Sequence, residues 1–473
     1  MTPLIIATCW AMSALGSPRT LRLDYFHTGN ANEESFALES LVLEGQWPGR
    51  PDCAIDKTGL GKYLFEVRDA ATDRLLYSLG FASIYGEWET TPEAKTKRQT
   101  FHESLRFPRP SGAVRVVVKK RGPRNEWVEK WSIPINPGGV IKESAGLSAK
   151  ARVWAVIKNG EPANKVDVLL LGDGYTAAEM SKWHSDARHI ASLLFAQSPF
   201  KERRADFNVW AIDTPAAKSG VSRPSEGIRV ESPIGASYDA FDSERYVLVF
   251  DNKRLREIAS AAPYEFMGIV VNDRKYGGGG IHNLYATTAA DNAFTPYIFV
   301  HEFGHHLAGL ADEYYTSDVA YEKTSARPEP WEPNVTADPK ASKWHDLLTP
   351  GAPLPTPWSK ARFEAMQKDI QEKRQAIRAE KRPEQEMEAL FRKERDALTK
   401  LLRSERYARS VGTFEGANYE VTGYYRPQVD CTMFSRNSVG FCAVCRRAIE
   451  RVIDVYTGHQ ASRRYVQPGR SRE

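Results

Sequence analysis

The chain has 473 residues, 41% of them hydrophobic and 26% charged, with a formal net charge of +5. This is an ordinary globular composition with room for two or three domains, not that of a disordered or fibrous chain. The charge is small for the length and no basic stripe with interleaved aromatics occurs, so nothing points to nucleic acid as a partner.

Residues 4–16, "LIIATCWAMSALG", are apolar and end in small residues, as a signal peptide would. The segment is too short to span a bilayer. It lacks a basic n-region, which leaves a buried N-terminal strand as the competing reading. Cleavage near Gly16–Ser17 is expected and would make the protein secreted or periplasmic. No later stretch is long enough for a transmembrane helix, so no stable membrane insertion is expected.

Residues 17–140 read as an all-β, sandwich-like domain. Its strands are "LRLDYF", "YLFEVRD", "RLLYSLGF", "VRVVVKK" and "EKWSIPI", separated by turn-rich intervals such as "WPGRPDC" and "DKTGLGK". It carries no catalytic constellation. His27 and His102 are isolated and read as structural, and the domain's role is docking of substrate or packing against the rest of the chain.

From about residue 150 to 460 the pattern changes. "VDVLLL" is a buried strand and "TAAEMSKWHSDARHIASLLF" an amphipathic helix; "FNVWAID", "RYVLVFD" and "MGIVVND" are further strands, with helical "NKRLREIASA" between the last two. Strand–helix alternation predicts a mostly parallel sheet. In "YGGGGIHNLYATT" the glycines permit close backbone approach or a flexible loop, and "IHNLYAT" could form an edge strand on which an extended peptide pairs. No Lys-Ser/Thr follows the glycines, which argues against a phosphate loop.

"TPYIFVHEFGHHLAGLADEYY" follows, Thr295 to Tyr315. Thr295 can cap a helix with Pro296 at its first position, and Gly309 can stop it. Phe299, Phe303 and Leu307 recur every four residues and form an apolar stripe. His301 and His305, also four apart, lie on the opposite face and can each give a nitrogen to one Zn²⁺. Glu302 is then placed to take a proton from a bound water. A helix with surface histidines is the competing reading. His306 points about 100° away from His305 and reads as packing or as a support for the ligands. Two histidines leave a zinc site one protein ligand short, and Asp312 and Glu313 are the nearest candidates.

Residues 358–408 are dense in Lys, Arg and Glu, with helical spacing of Met366, Ile370 and Ile377, then Met387, Leu390, Leu398 and Leu401, and a break at Arg382-Pro383. They read as a helical hairpin or bent helix inserted in the catalytic domain, solvated and structurally neutral by default. Then comes "GYYRPQVDCTMFSRNSVGFCAVC". Once the leader is removed, Cys53, Cys431, Cys442 and Cys445 remain. In an oxidising compartment Cys431 can form a disulfide with Cys442 or Cys445. The competing reading is a second zinc on Cys431, Cys442 and Cys445, for which the sequence offers no near fourth Cys or His.

The helix motif resembles the metzincin pattern H-E-x-x-H-x-x-G-x-x-H/D with a later methionine turn. It departs from that pattern by one extra residue between His305 and Gly309, while the Gly-x-x-acid offset is kept. "HEFGHHLAGLADEYY" with "YYRPQVDCTMF…GFCAVC", preceded by "LRLDYFHTGNANEESFALESLVLEGQWPG", resembles the M64 (IgA-peptidase) family over most of residues 20–460. The resemblance implies an α/β (α+β) metzincin-like zinc-protease domain behind the β-domain, and a secreted zinc endopeptidase acting on protein or peptide. It implies one zinc per chain on His301, His305 and Asp312, with Glu313 the alternative third ligand and Glu302 the general base. It also implies Met433 as the methionine turn and Tyr425, with Tyr424 as fallback, as a stabiliser of the tetrahedral intermediate. It does not imply that immunoglobulin A is the substrate. The rival function is a catalytically silent zinc-binding surface-recognition protein of the same fold, against which the intact Glu302 argues.

Overall fold

The computed structural model describes residues 18–50, 54–144, 151–316 and 327–458, so the expectations for residues 4–16 and Cys53 lie outside the described residues. The first strands are β1 (Arg19–Gly29), β2 (Glu34–Gln46), β3 (Tyr63–Asp69), β4 (Leu75–Phe81), β5 (Gln99–Pro108), β6 (Val114–Arg121), β7 (Trp127–Ile135) and β8 (Lys142–Glu143), with the short helix α1 (Ile84–Trp88) after β4. They make two four-stranded sheets, β5-β1-β2-β8 and β4-β3-β6-β7. One shared core of Leu21, Leu23, Tyr25, Phe65, Phe107 and Val116 lies between them. β2 and β5 are strands that the sequence reading omitted.

The second part contains β9 (Arg152–Ile157), β10 (Val166–Asp173), α2 (Met180–Leu194), β11 (Phe207–Asp213), β12 (Ala236–Ser237), β13 (Leu248–Val249), α3 (Asn252–Ala259), β14 (Phe266–Val271), β15 (Gly278–Ile281), β16 (Tyr285–Ala289) and α4 (Thr295–Ala308). Then follow α5 (Lys360–Ala379), α6 (Glu384–Arg403), β17 (Phe414–Ala417), β18 (Glu420–Arg426) and α7 (Ala443–Thr457). Its main sheet has the order β15-β16-β14-β10-β11-β9. β16, β14, β10 and β11 run parallel, and β15 and β9 are antiparallel edges. β10 is buried along its whole length, as an apolar run covered on both faces must be. On one face α2, α4 and α7 close a core around Phe299, Phe303 and Ile449. On the other, α3 and the β-domain's α1, through Tyr85 and Trp88, close a second.

Two expectations need correction. "RYVLVFD" gives only the two-residue β13, paired with β12 outside the main sheet, because Arg245–Val247 instead runs beside β15. "IHNLYAT" is not the edge: its end enters β16, an inner strand, and the glycines themselves form the edge β15. A Cβ on Gly280 would come within 2.2 Å of the Glu302 carbonyl, so only glycine lets this strand lie directly on α4.

The charged segment is not a solvated appendage. α5 and α6 pack through Ile377, Met387, Leu390 and Phe391 onto Phe294 and Ile298 at the start of α4. Glu388 Oε1 accepts from the Ala293 N–H at 3.1 Å and Glu384 Oε1 from the Tyr276 N–H at 3.0 Å. These buried polar ties anchor the helices beside the zinc-motif helix.

Candidate metal centre

α4 carries the motif because its buried stripe is continuous: Phe299, Phe303 and Leu307 are fully buried beneath it. Thr295 does not cap it. The helix starts after Phe294, and the Thr295 hydroxyl instead donates to the Ala289 carbonyl at 2.8 Å, tying α4 to the end of β16. The helix stops at Gly309, whose φ of 56° suits glycine and reverses the chain toward Asp312. His306 faces inward. Its Nδ1–H donates to the Ile281 carbonyl and its Nε2 accepts from the Met267 N–H, both at 3.0 Å. Burial drives its pKa down to about 3, so it is a neutral strut between α4 and the sheet.

His301 and His305 face away from the core, toward a cavity. The His301 Nδ1–H donates to the Thr432 carbonyl at 2.9 Å and the His305 Nδ1–H to the Leu310 carbonyl at 2.5 Å. A carbonyl cannot donate, so these bonds place the protons on Nδ1 and turn both Nε2 lone pairs inward. The two Nε2 atoms are 3.1 Å apart. Asp312 Oδ1 lies 3.0 Å from the first and 3.3 Å from the second. Apart from these two imidazoles this buried oxygen has no partner among the described residues, while Oδ2 accepts from the Tyr419 hydroxyl.

Ligands 2.0–2.1 Å from a tetrahedral ion stand about 3.3 Å from one another, so the triangle fits a zinc ion. Electrostatics agrees. Burial works to raise the Asp312 carboxyl, but the two imidazoles hold it well below the usual carboxylate range. Burial works to lower His305, but Asp312 prevails and lifts it to about 9. The pocket stabilises positive charge, which a proton or a metal ion can supply.

Glu302 is half-buried beside this triangle, with a carboxylate oxygen within 4.8 Å of a nitrogen from each of His301 and His305. Burial raises its pKa against the opposing pull of the two histidines, which suits a proton acceptor. The cavity that these groups line has a volume of about 520 Å³. Arg245, Tyr314, Tyr419 and Tyr424 line it from the same domain, and Lys62, Glu87, Arg121 and Asn125 from the β-domain, which therefore forms one wall of the cleft.

Glu313 is turned away from the triangle. Its carboxylate lies among Cys431, Cys442 and Cys445, and its N–H donates to the Met433 carbonyl at 2.8 Å. Met433 is fully buried under α4, where a Cβ on Gly304 would meet its sulfur at 3.2 Å. Tyr425 does not line the cavity. Its backbone pairs with Thr336, and alternation along β18 sends its side chain to the other face from Tyr424. Tyr424 does line the cavity, with its hydroxyl donating to the Pro328 carbonyl at 3.0 Å.

Tyr419 and Tyr314 are the aromatic residues that sequence reasoning passed over. Tyr419 sits in the turn between β17 and β18, with Asn418 and Tyr419 both at positive φ. From that turn the Asn418 N–H reaches the Asp312 carbonyl and the Tyr419 N–H the Tyr314 carbonyl. "GANYE" carries a turn signal, but nothing local says which strand the turn will clamp. The disulfide expected for Cys431 is not formed. The three described thiols are free, and the sulfurs of Cys431 and Cys445 stand 3.9 Å apart, nearly twice an S–S bond.

A family model described as IgA Peptidase M64 matches residues 154–453, and one described as Peptidase M64 N-terminus matches residues 12–132. No curated protein matches the chain.

Proposed function

The chain belongs to the IgA peptidase M64 family, and from that premise we propose that it is a secreted, zinc-dependent endopeptidase with its active site in the cleft between α4 and the β-domain. The observation that carries this reading is the convergence of His301 Nε2, His305 Nε2 and Asp312 Oδ1, the last with no other partner among the described residues, at the wall of the cavity. A zinc ion held there supplies a water of lowered pKa and a Lewis acid for the scissile carbonyl.

The chain's own groups do the rest. Glu302 removes the proton of the attacking water and returns it to the leaving amine. Tyr419 holds the Asp312 carboxylate so that Oδ1 faces the histidines. The Thr432 and Leu310 carbonyls fix the imidazole tautomers, and Met433 fills the space beneath. The Arg245 guanidinium donates to the Tyr314 hydroxyl at 3.4 Å, which leaves that hydroxyl's proton for the oxygen on which charge develops. We assign to Tyr314 the role that the resemblance implies for Tyr425.

The name of the family does not make immunoglobulin A the substrate. A secreted or periplasmic location rests on residues 4–16, and sequencing the mature N-terminus tests it. Activity is tested by N-terminal profiling of a proteome-derived peptide library, wild type against Glu302→Gln. New cleavages that depend on Glu302 support the peptidase reading. Intact metal binding with no cleavage would favour the silent recognition protein.

A further inference from the structure

Glu313, Cys431, Cys442 and Cys445 are buried together, with one candidate ligand atom from each lying within 4.8 Å of all the others. The sulfurs of Cys431 and Cys445 are 3.9 Å apart, and Glu313 Oε1 is 3.3 Å from Cys445 Sγ and 3.9 Å from Cys442 Sγ. Around a tetrahedral zinc with Zn–S of about 2.3 Å and Zn–O of about 2.0–2.2 Å, the expected spacings are about 3.8 Å and 3.5 Å. The sulfurs are too far apart for a disulfide and correctly spaced for a shared ion.

Backbone N–H groups are aimed at two of the sulfurs, although burial alone favours the thiol at Cys431 and Cys445. The Met433 and Cys442 N–H groups point at Cys431 Sγ, at 3.5 and 3.2 Å, and the Cys445 N–H at Cys442 Sγ, at 3.4 Å. Cys442 caps α7, so the C-x-x-C pair straddles the positive end of a helix dipole. Independently, among the described residues Glu313 Oε2 is buried with no hydrogen-bond partner, and Oε1 receives the Asn334 amide and thiol contacts. The buried Arg426 acts on it through its charge but makes no hydrogen bond to it, because both its Nη atoms donate to backbone carbonyls. Burial pushes the Glu313 carboxyl well above the ordinary carboxylate range, and a cation shared with the three sulfurs would let it ionise.

We propose that Glu313, Cys431, Cys442 and Cys445 bind a second, structural zinc ion that is distinct from the ion at His301, His305 and Asp312. Binding forms three Zn–S bonds and one Zn–O bond, and the protons of the three thiols leave to solvent. The placement gives the site a task. Glu313 adjoins Asp312, and Cys431 adjoins Thr432, whose carbonyl holds His301. The second ion cross-links the segment after α4 that carries one candidate catalytic ligand to the loop that orients another.

The test uses full-length protein with cobalt in place of zinc. The histidine–aspartate site contains no thiolate, so among the described residues thiolate-to-cobalt charge transfer in the near ultraviolet marks the cysteine site. Wild type is expected to show that band and to bind two metal ions per chain. A His301→Ala/His305→Ala variant should keep the band and one ion even if all peptidase activity is gone, which separates this claim from the catalytic one. Cys445→Ser should remove the band. Should that variant fail to fold, alkylation of native wild type decides: the three thiols should react only after the metal is stripped. Absence of the band in wild type, freely reactive thiols in the zinc-loaded protein, or an intact mass showing a disulfide among these cysteines would each overturn the proposal.

Discussion

Tyr419→Phe removes one atom, the hydroxyl that donates to Asp312 Oδ2, and leaves the ring against Tyr314. A hydrogen bond to a charged group contributes about 1.5–3 kcal/mol. Divided by about 1.36 kcal/mol per factor of ten, that is a loss of roughly 10- to 150-fold in zinc affinity, in the range of about 10–100-fold found for outer partners of metal ligands. The loss should fall on zinc affinity, because Oδ1 keeps its place only while Oδ2 is held. Competition against a chromophoric chelator measures the affinity, and turnover at saturating zinc measures what remains of catalysis. The expected result is weakened zinc with turnover near wild type once the site is filled. Unchanged zinc affinity would refute the assignment, and unchanged affinity with collapsed turnover would move Tyr419 from the ligand to the substrate.

Glu302→Gln should keep both fold and metal while kcat falls by about 10²–10⁴; loss of zinc would show Glu302 to be a ligand. Gly280→Ala drives a Cβ into the Glu302 carbonyl and the His305 Cβ. It should cost about 1–3 kcal/mol by urea unfolding and lower activity with it; wild-type stability would deny the close contact of β15 with α4. His27, stacked between Phe36 and Tyr85, is lowered by burial but raised on balance by Glu103 and Glu34. Its protonated ring therefore stabilises the fold fully below about pH 6.5, and that contribution disappears as pH rises through the elevated native value. Melting temperatures of His27→Gln across that range should show a flatter pH profile than wild type, and an identical profile would contradict the pairing.

The histidine pair was legible because helical periodicity is local: three apolar residues four apart decide which face the imidazoles take. Asp312 beside the pair was legible through the Gly-x-x-acid offset of the resemblance, with the turn at Gly309 bringing it close. β5 escaped notice because one of its inward positions is Glu103, held by Tyr25 and His27 of β1 and by the Tyr85 N–H, partners distant in sequence. β2 departs from strict alternation where its pairing with β1 slips. The glycine run showed that the backbone must approach something closely, but not that α4 was the neighbour. Tyr425 lies close to Met433 in sequence, the position the resemblance favours. In the fold its strand turns it from the cleft, and the adjoining turn brings Tyr419 in. Glu313 beside the cysteines was the least readable, because its partners come more than a hundred residues later and become neighbours only when the Met433 loop packs under α4.

Peptide hydrolysis by this chain is proposed to depend on an ion held by His301, His305 and Asp312. The most direct test is to strip the purified protein with a chelator, return zinc, and follow cleavage of a library-derived peptide in wild type and Asp312→Ala. Stripping should abolish cleavage, zinc should restore it in wild type, and Asp312→Ala should stay inactive at zinc concentrations that saturate wild type. Full cleavage by the metal-free protein, or normal zinc-dependent cleavage by Asp312→Ala, would contradict the account.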